Sequence, residues 1–594
     1  ILAQALLGTL QPWTPTARLP GGGMAPSPLI ALCAAALAVP AAARLSWLKR
    51  PLKMDLFSHG IRPWGMPCLH PTAKAPVTFP RHLLVDDPGT TEMFSGYVNV
   101  TKVDYLFYWF AQAEDTVPVD APLIVWSNGG PGCSAMEGMT TEHGPFVLYG
   151  VKEDGDLFGG RLSKNPYSWN KQAHVLYVDQ PRYVGYSCGL GPFITSSADA
   201  GQDMVTFLRG WRLLFPEHAH RNIIFATESY GGHYVPAWAT AVFDYNLHTT
   251  WRLNLVGIAI GNGIIDDAVQ SSSFPEFAER LGLLPEKTSW PTPRTNEGLR
   301  DLMKDYLGYT PNYYDYRLKE QECCGCSSYN YKAWADWLLR EDVIQALNVC
   351  GNAGIKAFAN CAAGCINLPE FDKDDSFDYS AALGRALGEG VHVTLYYGMQ
   401  DTACDYVGGY KVASSLRWPG AGTFATAPLE DLVIGDQPVG KLKAAGGLTW
   451  VQVEGAGHMV PINNPAAAAF AIGTLISASN GGTASARTLC MPTPNLPRTP
   501  GSLHYLQRLY ASRSGALHPE QLQDLVLAFM AGCLITGFVT AAVFRLGTRR
   551  AAARSEAALP RRALSAVSPH EETEDAPEDS GEAKNLAMGL LLAD

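Results

Sequence analysis

Short apolar runs alternate with helical patterns between about residue 95 and residue 265 of the chain. The runs that predict strands are rich in Val, Ile or Leu and end at polar residues or glycine, as fully buried parallel strands do; they are Leu123–Trp126, Val175–Asp179, Ile223–Thr227 and Leu255–Gly261. A helical stretch, Ser197 to Phe215, lies between the second and the third run. This alternation predicts the βαβ units of an α/β fold.

The alternation stops between about residues 266 and 385, where aromatic residues, clustered cysteines and short helical pieces such as Ala333–Leu347 replace it. Strand-like runs return at Val391–Tyr397 and Leu448–Val453. We therefore predict one mostly parallel sheet built from two parts of the chain, residues 60–265 and 386–485. Residues 266–385 are predicted to form a cap insertion over the edge of that sheet.

Apolar segments near both ends of the chain predict targeting and membrane insertion. From Met24 an apolar stretch leads to small residues at Ala41 to Ala43, which is typical of a cleaved signal peptide at residues 24–43; an uncleaved anchor and an organelle-targeting extension are the alternatives. Leu525 to Phe544 holds 20 residues without a charge, long enough to cross a bilayer core as a helix. The arginines that follow are typical of the cytoplasmic end of a span; they are Arg545, Arg549, Arg550 and Arg554.

These segments predict a single-pass type I membrane protein of the secretory pathway, in the Golgi, the endolysosomal system or at the cell surface. Its body would be lumenal, followed by a Pro-rich stalk at residues 486–524, a transmembrane helix at 525–544 and a cytoplasmic tail at 545–594. A buried helix of a soluble domain is the alternative for the second apolar segment. Residues 570–582 are strongly acidic, which is typical of either a solvated tail or a sorting signal.

Charge and cysteine content narrow the class of protein. The 594 residues carry a net charge of -11 without a basic stretch interleaved with aromatic residues, so the sequence does not predict a nucleic-acid surface. Of 13 cysteines, Cys33 falls in the predicted signal peptide and Cys533 in the predicted span. The remaining 11 lie in the predicted lumenal body, where disulfides persist, and an odd number leaves at least one thiol unpaired.

Five of these cysteines cluster in the insertion, at Cys323, Cys324, Cys326, Cys361 and Cys365. Such a cluster could suggest a metal site, but histidines at zinc-site spacing are missing and an oxidising lumen favours disulfides. The sequence predicts neither a metal site nor a cofactor, and it leaves the pairing of the cysteines open.

Ser229 follows a predicted strand and precedes a helical pattern in the fragment IIFATESYGGHYVPAWA. A sharp turn between a strand and a helix can expose a serine hydroxyl at the carboxyl edge of a sheet, in the arrangement called the nucleophile elbow. The usual pattern is G-x-S-x-G, and here Thr227 replaces the first glycine. The elbow alone is weak evidence, because most serines are surface residues.

The fragment WSNGGPGCSAMEGMTTEHGPF, residues 126–146, follows the first predicted strand and strengthens this interpretation. Consecutive glycines let backbone N–H groups approach a ligand closely, and in this kind of fold the loop after that strand supplies one oxyanion-hole donor. A tight turn is the alternative interpretation of the GGPG segment taken alone.

A serine nucleophile needs a base, and the base needs an acid that orients it. Asp401 and His458 each follow a predicted strand, in the chain order serine, acid, histidine that this fold uses. We therefore expect their side chains at the same sheet edge as Ser229. The turn Gly455–Gly457 singles out His458 among 14 histidines, and Asp405 is the main competitor of Asp401.

Together these motifs resemble the serine carboxypeptidase family, which has the α/β-hydrolase fold. Four blocks match in order, and they are WSNGGPGCS, NPYSWN with VDQP, TESYGGHYVP and AGHMVP. The resemblance runs from about Gly96 to Ile476. It implies a serine-type carboxypeptidase that releases C-terminal residues from peptides or proteins through an acyl-enzyme.

The resemblance also assigns roles by position. Ser229 would be the nucleophile, His458 the base and Asp401 its partner. The backbone N–H groups of Gly130 and Tyr230 would form the oxyanion hole.

The resemblance further implies a site for the C-terminal carboxylate of the substrate, formed by Asn128, Glu142 and Glu228 with Trp126 beside them. Two glutamates can donate hydrogen bonds to a carboxylate only when they hold protons, and crowded carboxyls favour protonation. This arrangement implies activity at acidic pH. Ordinary surface charge is the alternative interpretation of both glutamates.

Some positions depart from the family pattern. Arg182 and Tyr183 stand where the family usually has Val-Gly, which leaves open the shape of a nearby loop and of a substrate subsite; Thr227 is a milder departure. Cys404 matches a free-thiol position near the triad in some members. A free Cys404 would account for the odd cysteine and leave 11 − 1 = 10 to form five disulfides.

The predicted layout of body, span and acidic tail is similar to that of membrane-anchored fungal carboxypeptidases that process prohormone-like precursors.

Two functions other than a carboxypeptidase remain open. One is an acyltransferase that uses the same acyl-enzyme with an alcohol in place of water, and the other is a non-catalytic lumenal protein that stabilises its partners. Turnover of a blocked dipeptide compared with an acyl glucose ester separates all three.

Overall fold

A mixed sheet of twelve strands forms the centre of the described part of the chain. The computed structural model describes residues 68, 70–85, 91–114, 120–151, 157–280, 296–320, 331–351, 371 and 374–482. The strands are β1 Ala75–Pro76, β2 Met93–Asn99, β3 Asp104–Ala111, β4 Leu123–Ser127, β5 Phe146–Val151, β6 Leu157–Lys164, β7 His174–Val178, β8 Cys188–Gly189, β9 Asn222–Glu228, β10 Asn254–Gly261, β11 His392–Gly398, β12 Glu430–Ile434, β13 Gln437–Ala445 and β14 Leu448–Val453.

Helices connect these strands. The α-helices are α1 Ser197–Leu214, α2 Gly231–Leu247, α3 Asp267–Ser271, α4 Phe274–Arg280, α5 Asn296–Leu307, α6 Tyr331–Leu338, α7 Glu341–Ala346, α8 Ser380–Gly388, α9 Tyr406–Ser415, α10 Ala421–Thr426, α11 Val460–Asn463 and α12 Pro465–Ser479. Short 3-10 helices lie at Arg81–Leu83, Trp169–Lys171 and Pro216–His218, and a π-helical turn lies at Gly138–Glu142.

The centre of the sheet is parallel, with the strands in the spatial order β7, β4, β9, β10, β11, β14. These are the six strands that the hydrophobic pattern predicts. Ile124, Val125 and Trp126 of β4 are all fully buried, because helices and loops cover both faces of the sheet. The carboxyl ends of parallel strands lie at one edge, so the residues that follow β4, β9, β11 and β14 lie at that same edge.

Antiparallel strands flank the parallel centre on both sides. The β2–β3 pair joins it through β7, and the β12–β13 pair joins it through β14; β1 pairs with β2, and β8 pairs with β3. The strands β5 and β6 form a separate antiparallel hairpin. The sheet is therefore mixed, with the predicted parallel arrangement confined to its centre.

Neighbouring residues of one strand face two different layers of the core. Val125 belongs to a cluster with Trp211 of α1 and Trp238 of α2, whereas Ile124 belongs to a cluster with Phe470 of α12. Successive side chains of a strand point to opposite faces, so the helices pack on both sides of the sheet. The site described below lies at the edge between these two layers.

The predicted helix at Ser197 to Phe215 matches α1, which ends one residue earlier. Its first turn is capped by Ser196, whose hydroxyl accepts a hydrogen bond from the Asp199 amide at 3.2 Å. The helical piece predicted at Ala333–Leu347 is two helices, α6 and α7, because Arg340 has an extended backbone between them.

The described residues between β10 and β11 form the helices α3 to α8 and one isolated bridge, between Pro311 and Lys319. The boundaries predicted for the cap insertion stay a prediction. The chain divides into two units, residues 1–497 and 498–594, and every described residue belongs to the first.

Several predictions fall outside the described residues, namely the signal peptide at 24–43, the stalk at 486–524, the transmembrane helix at 525–544 and the tail at 545–594. Within the part of the chain that the structure describes, none of the helices has the length and apolar character needed to cross a membrane.

Three cysteines meet near β8. Cys68 and Cys188 form a disulfide, and the Cys350 Sγ atom lies 3.5 Å from the Cys188 Sγ atom. Cys133 is also disulfide-bonded, and Cys404 has a free, buried thiol, as expected. The clustered cysteines at 323–326, 361 and 365 lie outside the described residues, so the total of five disulfides stays a prediction.

Candidate active site

Ser229 lies in the turn between β9 and α2 and has a φ of 58°. A positive φ is unfavourable for residues other than glycine and persists where surrounding hydrogen bonds fix the backbone. The Ser229 amide donates to the Gly261 carbonyl at 3.0 Å, and the Ser229 carbonyl accepts from the amides of Gly232 and Ile264, each at 2.9 Å. The backbone therefore turns sharply at Ser229, and its side chain is only half-buried.

Thr227, the departure from the usual elbow pattern, has a defined place in β9. Its hydroxyl donates to the Ser127 carbonyl of β4 at 2.7 Å. A Cβ atom at residue 231 would overlap that hydroxyl, so α2 begins this close to the strand because residue 231 is glycine. The threonine is thus accommodated without displacing the elbow.

Asp401 and His458 are brought together at the carboxyl edge of the sheet. Asp401 follows β11 and His458 follows β14, and the His458 Nδ1 atom lies 2.7 Å from the Asp401 Oδ2 atom. Because a carboxylate only accepts, the proton of this bond sits on Nδ1 and the opposite ring nitrogen is left as an acceptor. That nitrogen, Nε2, is buried and has no hydrogen-bond partner among the described residues.

Other donors complete the surroundings of the Asp401 carboxylate. It accepts hydrogen bonds from the Asn262 side chain at 2.8 Å, the Ala403 amide at 2.8 Å and the Cys404 amide at 3.2 Å. Its side chain is fully buried. These bonds replace the water that a buried carboxylate loses, and they fix the direction in which it faces His458.

Asp405, the alternative candidate for the partner of His458, makes different hydrogen bonds. Its carboxylate accepts hydrogen bonds from the amides of Val407 and Gly408, both at 2.9 Å, and from the Ser273 hydroxyl at 2.9 Å. These are the contacts of a residue that caps the first turn of α9. Asp401 and not Asp405 is therefore the partner of His458 in this structure.

The glycine-rich loop after β4 lies against the elbow. A Cβ atom at Gly129 would lie 2.6 Å from the Tyr230 nitrogen and 2.9 Å from the Ser229 Cβ atom, so glycine is required at this close approach. Within the described residues, neither the Gly130 amide nor the Tyr230 amide donates a hydrogen bond. Both amides are thus available to an oxygen atom bound near Ser229.

Asn128 joins the predicted carboxylate-binding residues into one buried cluster. Its side-chain oxygen accepts from the Trp126 indole N–H at 2.7 Å, and its amide donates to Glu228 at 2.9 Å and to Glu142 at 3.3 Å. Glu142 and Glu228 are 2% and 4% exposed. The alternative interpretation of these glutamates, ordinary surface charge, is therefore wrong.

Burial raises the pKa of Glu142 to about 7 and raises the pKa of Glu228 well above its usual range. The negative charges of Glu142 and Glu137 raise the pKa of Glu228 further. Asn128 acts in the opposite direction on both glutamates, but its effect is smaller than that of burial. The pair therefore keeps at least one proton in acidic solution.

His143, next to Glu142 in the chain, supplies no positive charge to this cluster. Its ring stacks on Trp169 with 3.7 Å between ring centroids, and it makes a T-shaped contact with Trp126 with 4.2 Å between ring centroids. Burial lowers the pKa of His143 well below its usual range, so the imidazole is neutral. The proton shared by the carboxyls is then what reduces their mutual repulsion.

Two buried residues of the site were not singled out in the sequence. Asn262 follows β10, donates to Asp401 and accepts from the Gly398 amide at 2.9 Å. A polar residue directly after a predicted strand is a signal that could have identified it. Glu137 lies in the glycine-rich fragment, is 4% exposed and acts on the pKa of Glu228 through its charge.

Arg182 and Tyr183, the main departure from the family pattern, form a network of ion pairs and hydrogen bonds with Asp104 and Asp203. The Arg182 guanidinium donates to Asp203 of α1 at 2.6 and 2.8 Å and to Asp104 of β3 at 3.3 Å. The Tyr183 hydroxyl donates to Asp104 at 2.8 Å. Within the described residues, none of the hydrogen bonds of these two side chains goes to a predicted site residue, so the network ties its loop to the sheet and to α1.

Asp401, Cys404 and His458 offer possible metal-ligand atoms that lie within 4.8 Å of one another. The donor chemistry does not favour a metal, because the Asp401 carboxylate already accepts hydrogen bonds from His458 and Asn262. Burial and the charge of Asp401 raise the pKa of the Cys404 thiol well above its usual range, and a protonated thiol is a poor ligand.

Known proteins are similar to this chain in sequence and in fold. The family model for serine carboxypeptidases matches residues 84–478. A carboxypeptidase Y homolog A of Trichophyton verrucosum is 31% identical over 415 residues, covering 64% of this chain and 73% of the relative. One of Neurospora crassa is 31% identical over 407 residues, covering 63% of this chain and 70% of the relative.

A similar fold occurs in the crystal structure of a prohormone-processing carboxypeptidase from Saccharomyces cerevisiae. That chain is 23% identical, with a TM-score of 0.58 over 68% of this chain and 95% of that chain. The predicted α/β-hydrolase architecture and the predicted enzyme class, a serine-type carboxypeptidase, are confirmed. The sequence blocks, the sheet and the matched family model agree, and the chain belongs to the serine carboxypeptidase family.

Proposed function

We propose that this chain releases C-terminal residues from peptides through an acyl-enzyme formed on Ser229, with His458 as the base and Asp401 as its partner. The observation that carries the proposal is the buried hydrogen bond of 2.7 Å between His458 and Asp401, at the sheet edge where the strained Ser229 turn also lies. Peptides and proteins with a free C-terminus are the proposed substrates.

In the first step, the His458 Nε2 atom accepts the Ser229 hydroxyl proton while the Oγ atom attacks the carbonyl carbon of the substrate. The amides of Gly130 and Tyr230 bind the negative oxygen that forms. His458 then gives its proton to the leaving nitrogen, and the carbon–nitrogen bond breaks. Water then attacks the acyl-enzyme while His458 accepts its proton, and His458 returns that proton to the Ser229 Oγ atom as the bond between Oγ and the acyl carbon breaks, which releases the shortened peptide as an acid.

Binding of a free C-terminus is proposed for Asn128, Glu142 and Glu228. Glu228 directly precedes Ser229 in the chain, so we expect a carboxylate bound to it to lie close to the serine that attacks the scissile bond. A protonated carboxyl and an amide can both donate to a carboxylate, which gives exopeptidase and not endopeptidase specificity. Because the donor is a carboxyl with a raised pKa, binding is strongest in acidic solution.

The secretory pathway is the proposed location, with the catalytic body in the lumen and one membrane span at residues 525–544. The 20 uncharged residues and the arginines that follow them support this topology. A lumenal body is also compatible with the disulfide between Cys68 and Cys188.

Replacing Ser229 with alanine should abolish release of the C-terminal residue from a free peptide, by about 10⁴-fold or more. Chromatography of the products measures this rate, and circular dichroism checks that the variant is folded.

The wild-type enzyme should cleave the amidated form of the same peptide poorly, because the proposed carboxylate clamp of Asn128, Glu142 and Glu228 then has no carboxylate to bind. Substantial turnover by Ser229→Ala, or equal cleavage of internal bonds in amidated peptides, contradicts the proposal.

Asp401→Asn should reduce kcat by about 10⁴-fold, because an amide no longer holds the His458 ring in the required tautomer. Asp405→Asn is the matched control: it makes the same isosteric change four residues away, and asparagine is an equally good helix cap. We expect the control to keep kcat near the wild-type value in steady-state assays. Equal losses in both variants would show that Asp401 has no special role.

The KM for a peptide should rise as the pH moves from acidic to neutral. The pKa values of Glu142 and Glu228 are raised, so their shared proton is present at low pH and is lost as the pH increases, through about 7 for Glu142. Two negative charges then face the substrate carboxylate. The kcat for a blocked ester, which has no carboxylate, should persist or increase because His458 must be neutral to act as a base.

Glu142→Gln and Glu228→Gln replace a titrating donor with a permanent one. Each variant should flatten the rise in peptide KM, with some loss of affinity at low pH, in assays of KM at a series of pH values. Identical pH profiles for peptide and ester in the wild type, unchanged in both variants, exclude the carboxylate clamp even when the triad is right.

Full-length protein should remain in the membrane fraction after alkaline carbonate extraction, whereas a chain that ends near Ser514 should be secreted and active. Release of the full-length chain by carbonate would contradict the transmembrane assignment.

Asn99-Val100-Thr101 is an acceptor sequence for lumenal N-glycosylation, and Asn99 is exposed at the end of β2. Endoglycosidase treatment should therefore increase the gel mobility of the wild type but not of Asn99→Gln.

A further inference from the structure

One segment between β10 and β11, Asn312–Arg317, lies across the loops that carry Asp401 and His458; we call it the strap. On the acid side, the Tyr313 carbonyl accepts from the amides of Thr402 and Ala403 at 3.0 and 2.9 Å, and from the Thr402 hydroxyl at 2.7 Å. The strap is therefore attached to the residues that directly follow Asp401.

On the base side, the strap is attached through Tyr314 and Arg317. The Tyr314 carbonyl accepts from the His458 amide at 2.7 Å, and the Arg317 guanidinium donates to the Gly455 carbonyl at 3.2 Å. Arg317 is itself held by its ion pair with Asp315. The strap thus bridges the two loops whose side chains form the acid–base pair.

Tyr314 also contacts His458 through its ring. The phenol and the imidazole are stacked, with 4.4 Å between ring centroids and 9° between ring planes. The Asn312 side chain accepts from the Tyr314 amide at 2.8 Å, which fixes the backbone that carries the ring. His458 therefore contacts Tyr314 twice, once through its backbone amide and once through its ring face.

The stacking restricts the plane of the His458 ring, which the hydrogen bond to Asp401 alone does not. That bond holds one corner of the imidazole and leaves the ring free to swing about it, whereas a flat neighbour restricts the plane of the ring. A cation over an aromatic face is also stabilised, and His458 carries a positive charge while it holds the Ser229 proton. Burial raises the pKa of the Tyr314 phenol, as do the charges of Glu137 and Asp401, so Tyr314 is the neutral partner.

We infer that Tyr314 is a positioning residue of the reaction, which fixes the plane of the His458 imidazole and stabilises its charged form in the transition state. The inference rests on the proposed function of His458 as the base. Tyr314 acts through His458, which it contacts with its backbone carbonyl and with its ring. Its loss should therefore reduce kcat and leave KM nearly unchanged.

The test compares two replacements of Tyr314 with one of its neighbour. Tyr314→Phe keeps the ring, and Tyr314→Leu removes it. Tyr313→Leu removes one of the two further tyrosine rings of the strap, whose centroid lies 3.9 Å from the Arg300 guanidinium. We expect kcat to fall about tenfold in Tyr314→Leu for both peptide and ester, a size typical of an aromatic–cation contact. Tyr314→Phe and Tyr313→Leu should stay within about twofold of the wild type.

Thermal unfolding of each variant shows whether the fold is intact. If Tyr314→Leu does not fold, Tyr314→Met takes its place, because methionine fills a similar volume without an aromatic face. Wild-type kcat in the variant without the ring overturns the inference. So does a rise in KM at constant kcat, which would make Tyr314 a substrate contact, or an equal loss of kcat in Tyr313→Leu, which would make the strap merely structural.

Ser229→Ala separates this inference from the proposed function. Activity that survives Ser229→Ala contradicts the proposed function itself. Wild-type kcat in Tyr314→Leu, together with an inactive Ser229→Ala, contradicts the role of Tyr314 alone.

Discussion

The buried charge of Asp401 is the constraint that organises the carboxyl edge of the sheet. Taking a carboxylate out of water costs several kcal/mol unless hydrogen bonds replace its hydration. Here the donors come from different parts of the chain, the loops after β10, β11 and β14, through Asn262, two backbone amides and His458. Satisfying one carboxylate therefore sets the positions of three loops at once, and the Ser229 turn is held by the same edge through the Gly261 carbonyl.

The second group of buried carboxyls, Glu142 and Glu228, is stabilised in a different way. Asn128 is the side chain that donates to both Glu142 and Glu228, and the neighbouring His143 is neutral. With fewer donors than Asp401 has, this cluster lowers its charge by keeping a proton. The two groups lie at one sheet edge, and their environments separate their roles: one carboxylate orients a base, and a proton-sharing pair receives a carboxylate in the proposed mechanism.

The sequence predicted the parts of the site that depend on regular structure. The six parallel strands are buried on both faces, so each leaves a short apolar run, and the residues after β9, β11 and β14 could be placed at one edge. The choice between Asp401 and Asp405 depends on side-chain direction within one loop, which no pattern records. Tyr314 lies in an irregular segment whose contacts with the Asp401 and His458 loops join residues more than eighty positions apart, so neither periodicity nor spacing pointed to it.

The neutral histidine behind the carboxyl pair has a thermodynamic consequence. His143 is stacked on Trp169, makes an edge contact with Trp126 and cannot act as a counterion, so a proton that neutralises the cluster must come from solvent. In the proposed mechanism, when the pH is above the pKa values of the two glutamates, binding of a peptide must be accompanied by uptake of a proton from solvent. Substrate binding is then linked to proton uptake, and the heat of binding should depend on the ionisation enthalpy of the buffer.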